Sequence, residues 1–425
     1  MSSIALNGKR THLMYGNEAR GQGLYSEPLV ERTVIGASSV PGETRWARQA
    51  NSGSALEDAV ASLELEPETS TVNVLLKVYD NGLADELRPA ELVDVIGTLD
   101  TFVPSSMWLD ETGVGAVPVP CIHVFALRRT NLGSIAGPVA ARMAPCTDKK
   151  ARYDALVYFV AGALAGDLLA AEYVVLSLLA RIHWRAPGAA VGALSVNISR
   201  AEKLAPALAS ALNQICPAVK VQSLALSTLN DASTPLFPQE TDSGLRPGRL
   251  QLVDGTVLLV DEAAMDEGQL GDTGVRNVRA LAQLLSRHTL PYLFPFSEFE
   301  INTDINVLVL SSGRSFLPVD AHVPWRPGTG EGPRDTTQPT LDALRAAILE
   351  ARTAALTVPD AVSEIIQTFF VERRKTDPKY TQEDLQRHIG IARLLALGAG
   401  ASTLSEREWS RAVELENLRA ERIST

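Results

Sequence analysis

Cysteine is nearly absent from this chain: Cys121, Cys146 and Cys216 stand far apart among 425 residues and form no Cys-x-x-Cys pair. That usage excludes a disulfide framework and fits a reducing compartment. Cys121 and His123 would share one face of a strand, but two ligands do not make a zinc site, so the pair reads as core, and no metal site is expected. Aromatic residues are only 5% of the chain, which leaves few stacking platforms for single-stranded nucleic acid. Positive charge is also short, with 39 Lys and Arg against 50 Asp and Glu and a net charge of −11. The basic residues are scattered rather than striped, so a counterion-releasing grip on duplex phosphates is not expected, and protein partners are. The longest uncharged apolar run, residues 155–166, falls short of the roughly 20 residues a membrane span needs, and the first ten residues lack the apolar core of a secretory signal. A soluble protein without a membrane partner is expected. The glycosylation-type sequence Asn197-Ile-Ser199 is discounted, because it falls in an expected buried strand.

The most telling absence is a phosphate cradle. Val257-Leu-Leu-Val-Asp-Glu262 reads as a buried parallel strand that delivers two carboxylates to the edge of a sheet, as a magnesium-directed Asp and a water-orienting Glu would be delivered. Such a pair needs a Gly-x-x-x-x-Gly-Lys-Ser/Thr segment, whose backbone amides and lysine hold phosphates, and the chain has none. After an earlier strand it reads Ala193-Leu-Ser-Val-Asn-Ile-Ser-Arg-Ala-Glu-Lys203, with a strand expected over 194–198. A helix is expected from Ser199, capped reciprocally by Glu202, with Lys203 inside it. Without glycines this backbone cannot turn its amides toward a pyrophosphate. Asp261 and Glu262 therefore read as a vestigial Walker B pair, solvated or capping the turn that follows. No catalytic residue and no cofactor is expected.

Several regions are legible from pattern. Residues 1–37 are rich in Gly, Ser and charge and read as a flexible arm. Short strands follow: 72–79, followed by a turn at Asp80-Asn-Gly82, then the segment 88–99 leading into a second strand, then 120–127. Their spacing suits a small OB-like barrel, used here for protein docking rather than nucleic acid. Residues 149–182 are helical, with a break near Gly162 and Gly166. Strands near Leu194, Val221, Val257 and Ile305 alternate with helices at 200–214 and 273–287, which implies a largely parallel sheet. A Pro/Gly-rich loop spans 324–334. Four helical stretches follow it: 341–352, 361–374, and two starting at Thr381 and Ser405 with side-chain caps.

The motifs themselves match a known pattern. Asp261-Glu-Ala-Ala-Met-Asp-Glu-Gly-Gln-Leu270, Gly274-Val-Arg-Asn-Val-Arg-Ala-Leu-Ala-Gln283 and the run from Ile305 through Ser311-Ser-Gly-Arg-Ser-Phe-Leu-Pro-Val-Asp320 resemble the minichromosome maintenance complex-binding protein family. Val40-Pro-Gly-Glu-Thr-Arg-Trp46, Ala165-Gly-Asp-Leu-Leu-Ala-Ala-Glu-Tyr173 and the carboxyl-terminal stretch from Ile391 through Trp409 to Arg419 extend the resemblance in unbroken order. Family members usually carry a longer region ahead of the Val-Pro-Gly-Glu segment, which here begins within the first tenth of the chain, as in a short member or a chain cut at its start.

The resemblance implies an α/β fold with α+β character. It would comprise an arm (1–37), an OB-like β domain (38–147), an AAA+-like pseudo-ATPase core lacking a P-loop (148–330) and a helical lid-like domain (331–425). It implies a non-enzymatic nuclear protein, with cytoplasm as a second compartment, that binds subunits of the minichromosome maintenance helicase. It would support helicase assembly or unloading from chromatin during DNA replication and sister-chromatid cohesion, with chromatin association indirect and no direct sequence-specific nucleic-acid binding. A divergent AAA+-type replication ATPase and a generic acidic scaffold are the alternatives. Trp46, Trp325 and the loop 266–272 are compatible with partner contact, although a core tryptophan and a solvated acidic loop are the simpler reading. Arg373-Arg-Lys375 is too short for an import signal and reads as a solvated helix end.

Overall fold

The computed structural model describes residues 2–13, 31–50, 73–102, 119–134, 137, 148–186, 188–241, 244–328 and 337–424. The chain divides into two compact units: 1–132 with 234–254 and 290–301, and 133–233 with 255–289 and 302–425. In the first unit β1 (Ser2–Leu13), β2 (Glu31–Ser39), β3 (Asn73–Val78), β4 (Leu92–Phe102) and β5 (Val119–Thr130) close into a barrel in the order β1-β2-β3-β5-β4. All pairings are antiparallel except β3 with β5, and β4 closes the barrel against β1. Alternating residues of β3 (Val74, Leu76, Val78) meet Ile35, Val93, Val95 and Val124 in the interior, as a period-two strand requires. The first 37 residues thus contribute β1 and most of β2 where an arm was expected, while 14–30 lie outside the described residues. Two short helices, α1 (Arg45–Ala50) and α2 (Asn81–Glu86), flank β3 in sequence. The expected turn at Asp80-Asn-Gly82 is the start of α2, because the Asp80 carboxylate accepts the Leu83 N–H at 3.1 Å and nucleates a helical turn.

The second unit opens with α3 (Lys149–Ala163) and α4 (Leu168–Leu179), set at 117° across a break where Ala165 and Gly166 adopt left-handed backbone. Among the described residues no single helix is long and apolar enough to cross a membrane. A hairpin of β6 (Trp184–Ala186) and β7 (Ala189–Val191) leads to β8 (Val196–Ser199), α5 (Ala205–Ile215), β9 (Val219–Ser223) and α6 (Leu226–Leu229). The chain then lends β10 (Gln239–Thr241) and β11 (Gly244–Arg246) to the first unit and returns as β12 (Val257–Asp261) and α7 (Asp272–Arg287). It leaves again for β13 (Thr289–Phe294) and β14 (Ser297–Asn302), which complete a sheet of order β11-β10-β13-β14, before β15 (Asn306–Ser311) and β16 (Ala321–Pro324). The main sheet runs β16-β8-β15-β12-β9 with every pairing parallel. Burial on both faces explains its near-continuous apolar strands: Val257 to Val260 and all of β15 are buried.

Two local expectations fail around β8. Ser199 ends the strand instead of opening a helix, and Arg200 takes a left-handed conformation (φ 63°). The helix waits for Pro206, whose fixed φ suits a first turn, and its N-cap Leu204 makes no side-chain cap. Lys203 therefore lies in the exposed turn ahead of α5, not inside it.

Four helices close the chain: α8 (Gln338–Thr353), α9 (Asp360–Thr376), α10 (Gln382–Gly398) and α11 (Glu406–Ser424). Thr381 and Asp384 form the reciprocal cap of α10, and Ser405 with Glu408 opens α11. Their apolar faces join the core of α3, α4 and the sheet: Leu344, Ile348, Ile366, Ile391, Leu395, Trp409 and Leu415 share one cluster with Leu156, Tyr173 and Leu308. The helical region thus belongs to the same compact unit as the parallel sheet. Trp409 is buried with its ring edge-on to Phe369, centroids 5.4 Å apart.

The polar anchor of this packing is Glu416, 3% exposed. Its carboxylate accepts the Tyr173 hydroxyl of α4 at 2.5 Å, Arg387 Nε of α10 at 2.8 Å, and Arg419 Nε and Nη2 of its own helix, both at 2.8 Å. Arg387 in turn holds Asp384 at 2.7 Å, and Arg419 reaches the His322 carbonyl of β16 at 3.3 Å. A second buried carboxylate, Asp167, caps α4 through the Ala170 N–H and receives Arg422 from the end of α11 at 2.7 Å.

Burial alone would raise the Glu416 pKa, but the hydrogen bonds and charge of Arg419, then Arg387 and the Tyr173 hydroxyl, outweigh it and hold the group at about 2 against an ordinary 4.5. A folded pKa below the unfolded one gives stability that is complete above the unfolded value and lost as pH falls through the folded one. The group should contribute about 3 kcal/mol at neutral pH, lost between roughly pH 5 and 2. Glu416→Gln, which leaves buried Arg419 without its anion and Arg387 with Asp384 alone, should cost about 3–5 kcal/mol in urea unfolding at pH 7. It should also flatten the acid dependence below pH 5. An acid limb as steep as the wild type's would assign that titration to other groups.

Candidate functional site

In a parallel sheet the ligand crevice lies beyond the carboxyl ends of the strands, beside the strand from which the chain crosses in both directions. Here that strand is β8, between β15 and β16, and the turn 200–204 occupies the place of a phosphate cradle. Its amides face the protein. Arg200 N–H and Ala201 N–H donate to the Ser312 and Ser311 carbonyls at the end of β15, both at 3.1 Å, and Leu204 N–H donates back to Ala201 at 3.0 Å. No glycine stands in the turn, so the backbone cannot reverse to offer these donors outward.

Side chains complete the closure. Asn197, fully buried in β8, donates to the Val309 carbonyl at 3.2 Å and to Ser311 Oγ at 2.6 Å, and its Oδ1 accepts the Ser315 N–H at 3.2 Å. Ser311 Oγ donates onward to the Gly313 carbonyl, and Ser199 Oγ meets His322 Nε2 at 2.8 Å. Glu262 accepts a short hydrogen bond from Ser315 Oγ, so its carboxylate holds the 311–316 loop. Burial raises the Glu262 pKa, with Ser315 and the Phe316 amide opposing it. Asp261 is raised likewise by burial and eased by the amides of Ala264 and Ala263, so it caps the turn after β12. Lys203 is exposed and pairs with neither carboxylate. Glu262 thus fixes a loop, while Asp261 caps the turn yet keeps one buried oxygen, Oδ1, without a hydrogen-bond partner. Among the described residues no nucleophile or cation is aimed with them at a shared point. The Asn197–Ser311–Ser315 network was invisible in the sequence because Asn197 lies over a hundred residues from the two serines it bonds and carries no spacing signal.

Other expected positions fall as follows. Trp325 packs against the core of the second unit and donates its indole N–H to the Leu164 carbonyl at 2.9 Å, which corrects its candidacy for partner contact. Trp46 is half-buried, while the loop 266–272 is exposed throughout. Cys121 is buried in β5, where burial raises its thiol pKa, and His123 is held instead by the Tyr79 hydroxyl at 2.6 Å. Cys146 and residues 329–334 of the expected loop lie outside the described residues. Arg373, Arg374 and Lys375 sit exposed in the last turn of α9. On the barrel, Arg128 and Arg129 are neutralised by Asp94 at 2.6 Å and Glu91 at 3.1 Å.

Comparison with known proteins places these features. The model of the family described as mini-chromosome maintenance replisome factor matches residues 54–423. A mini-chromosome maintenance complex-binding protein of Arabidopsis thaliana is 29% identical over 388 residues, covering 84% of this chain and 65% of that protein. Proteins of the same name from Salmo salar and Homo sapiens are 34% and 32% identical over 281 residues, covering 63% of this chain and 45% and 44% of their own lengths. The chain thus spans between somewhat under half and about two thirds of these relatives. With a family match running through the barrel's later strands, the parallel sheet and the terminal helices, the chain is a member of the mini-chromosome maintenance replisome factor family.

Proposed function

We propose that this chain is a non-enzymatic nuclear binding protein that associates with subunits of the minichromosome maintenance helicase and supports its assembly or its unloading from chromatin during DNA replication and sister-chromatid cohesion. Family membership, with relatives named for binding that complex, carries the association. What supports the absence of catalysis is the crevice beyond β8, where the Arg200 and Ala201 amides bond the end of β15 and Glu262 bonds Ser315 of the protein's own loop. We read the five-stranded barrel as OB-type and the parallel sheet as an AAA+-like core that keeps its architecture without its phosphate site. On this reading the protein is a degenerate relative of the subunits it binds. The paired arginines on the barrel and the net charge of −11 favour protein docking over a direct grip on nucleic acid.

Purified protein should show no ATP turnover above background, and Glu262→Ala should act on stability instead, costing about 1–3 kcal/mol by leaving Ser315 and its loop without an acceptor. Turnover abolished by Glu262→Gln would establish the ATPase alternative. Duplex DNA binding should be undetectable or lost by physiological salt. A complex that survives such salt without helicase subunits would contradict a protein-docking barrel.

Co-purification from cell extract with identification of the bound proteins tests the association itself. Helicase subunits should be recovered with the whole chain and lost on deletion of residues 336–425, which also exposes the apolar face around Leu395, Trp409 and Leu415. A whole chain that recovers none of them would leave only an acidic scaffold. A truncated chain that unfolds cooperatively and keeps its partner would place the contact elsewhere.

A further inference from the structure

Several arginines of the second unit that are largely withdrawn from water, Arg345, Arg387, Arg419 and Arg422, each meet a carboxylate at 2.6–2.8 Å. Arg393 on α10 does not. Half-buried, it meets only the ring of His183, with Nη1 2.8 Å from Nε2 and 3.2 Å from Nδ1, and among the described residues no carboxylate lies within ion-pair distance of it or of neighbouring Arg181. A neutral imidazole is a poor substitute for an anion, and burial, then the Arg393 and Arg181 charges, keep His183 neutral by lowering its pKa.

These side chains line a cleft of ≈ 40 Å³ formed where the segment after α4, the hairpin end at Gly192, the last turn of α8 and the middle of α10 converge. Arg352 adds a third guanidinium to the lining and bonds the Leu178 carbonyl at 3.1 Å and Asn306 Oδ1 at 2.5 Å. Two glycines shape the opening. A Cβ on Gly192, whose φ is +115°, would collide with the Arg181 carbonyl and the His183 ring, so glycine is what lets the imidazole lie flush against the hairpin. Gly390, one turn before Arg393, faces open space. At roughly 10–15 Å³ per water by this measure, the cleft holds about three water-sized positions, enough for a carboxylate or phosphate head and too little for a nucleoside.

We propose that this cleft is an anion-binding site that takes one oxyanion head group, a carboxylate or a phosphate, between Arg393, Arg181 and His183. The ligand supplies the counter-charge that the fold gives Arg345, Arg387, Arg419 and Arg422 internally. The site lies on α10 and the hairpin ahead of β8, apart from the closed crevice, and is independent of the helicase reading.

Calorimetric titration and thermal unfolding of the full chain with orthophosphate, with acetate, and with a short peptide ending in phosphoserine and glutamate, all at constant ionic strength, test it. Saturable binding with a raised Tm is expected, accompanied by a shift of the His183 ring resonances. Arg393→Gln and Arg181→Gln should each weaken it tenfold or more, while Arg407→Gln, an exposed change of equal charge, should not. Tighter binding of the peptide than of the free ions would mark the natural source as a polypeptide, and equal binding a small anion. Because Arg181 is exposed, its variant decides the matter even if Arg393→Gln disturbs folding. No saturable binding of any of the three, or binding unmoved by Arg181→Gln, overturns the proposal.

Discussion

The second unit depends on a single buried carboxylate. Glu416 is one of few fully buried charges, and its cost of desolvation is offset only because α4, α10 and α11 arrive together and bring Tyr173, Arg387 and Arg419 to it. Apolar packing is non-directional and would accept several placements of the terminal helices on α3 and α4. The Glu416 cluster accepts one, since a shift of a single turn would take the Tyr173 hydroxyl and Arg387 away from Glu416 and leave it only Arg419 of its own helix. Asp167 repeats the logic at the other end of α11 through Arg422. Together they make the helical region inseparable from the parallel sheet, and any surface composed by both inherits that rigidity.

What could be read from the sequence was what repeats locally. The strand at Val257, the helices from Gln338 onward and the cap at Thr381 each announce themselves within one or two turns, because side-chain period and capping chemistry are properties of neighbours. Where the reading failed, a nearby side chain had two uses. Asp80 before Asn-Gly serves a turn or a helix cap equally well, and packing chose the cap. Ser199 with Glu202 satisfies a capping pattern, yet Ser199 is taken by the sheet and the helix starts at the proline instead. The flexible-arm reading of the first residues failed for a related reason: a barrel must close, and strand β1 is recruited by pairing with β2 and β4 rather than by its own composition.

The candidate site was legible as an absence and illegible as a presence. Missing glycines after β8 were enough to predict that the backbone could not cradle phosphate. Nothing in the sequence indicated what would fill the vacated crevice. The structure answers with Asn197 and Ser311 from two strands and Glu262 and Ser315 from the loops that follow β12 and β15. A buried polar network is stable only when each member is satisfied. Each link here is made within the protein, so opening the crevice to a ligand would require breaking several hydrogen bonds at once.

That network bears on how the carboxyl edge of this sheet is held together. The carboxyl edge of a parallel sheet gathers strand ends, helix starts and loops whose polar groups need partners, and in an enzyme some of these partners are substrate and metal. Here Glu262 pins the 311–316 loop through Ser315, and the Arg200 and Ala201 amides bond the end of β15. Polar groups remain uncovered on the exposed segment 266–272, and in the cleft beside α10 Arg393 and Arg181 have, among the described residues, no carboxylate within ion-pair distance.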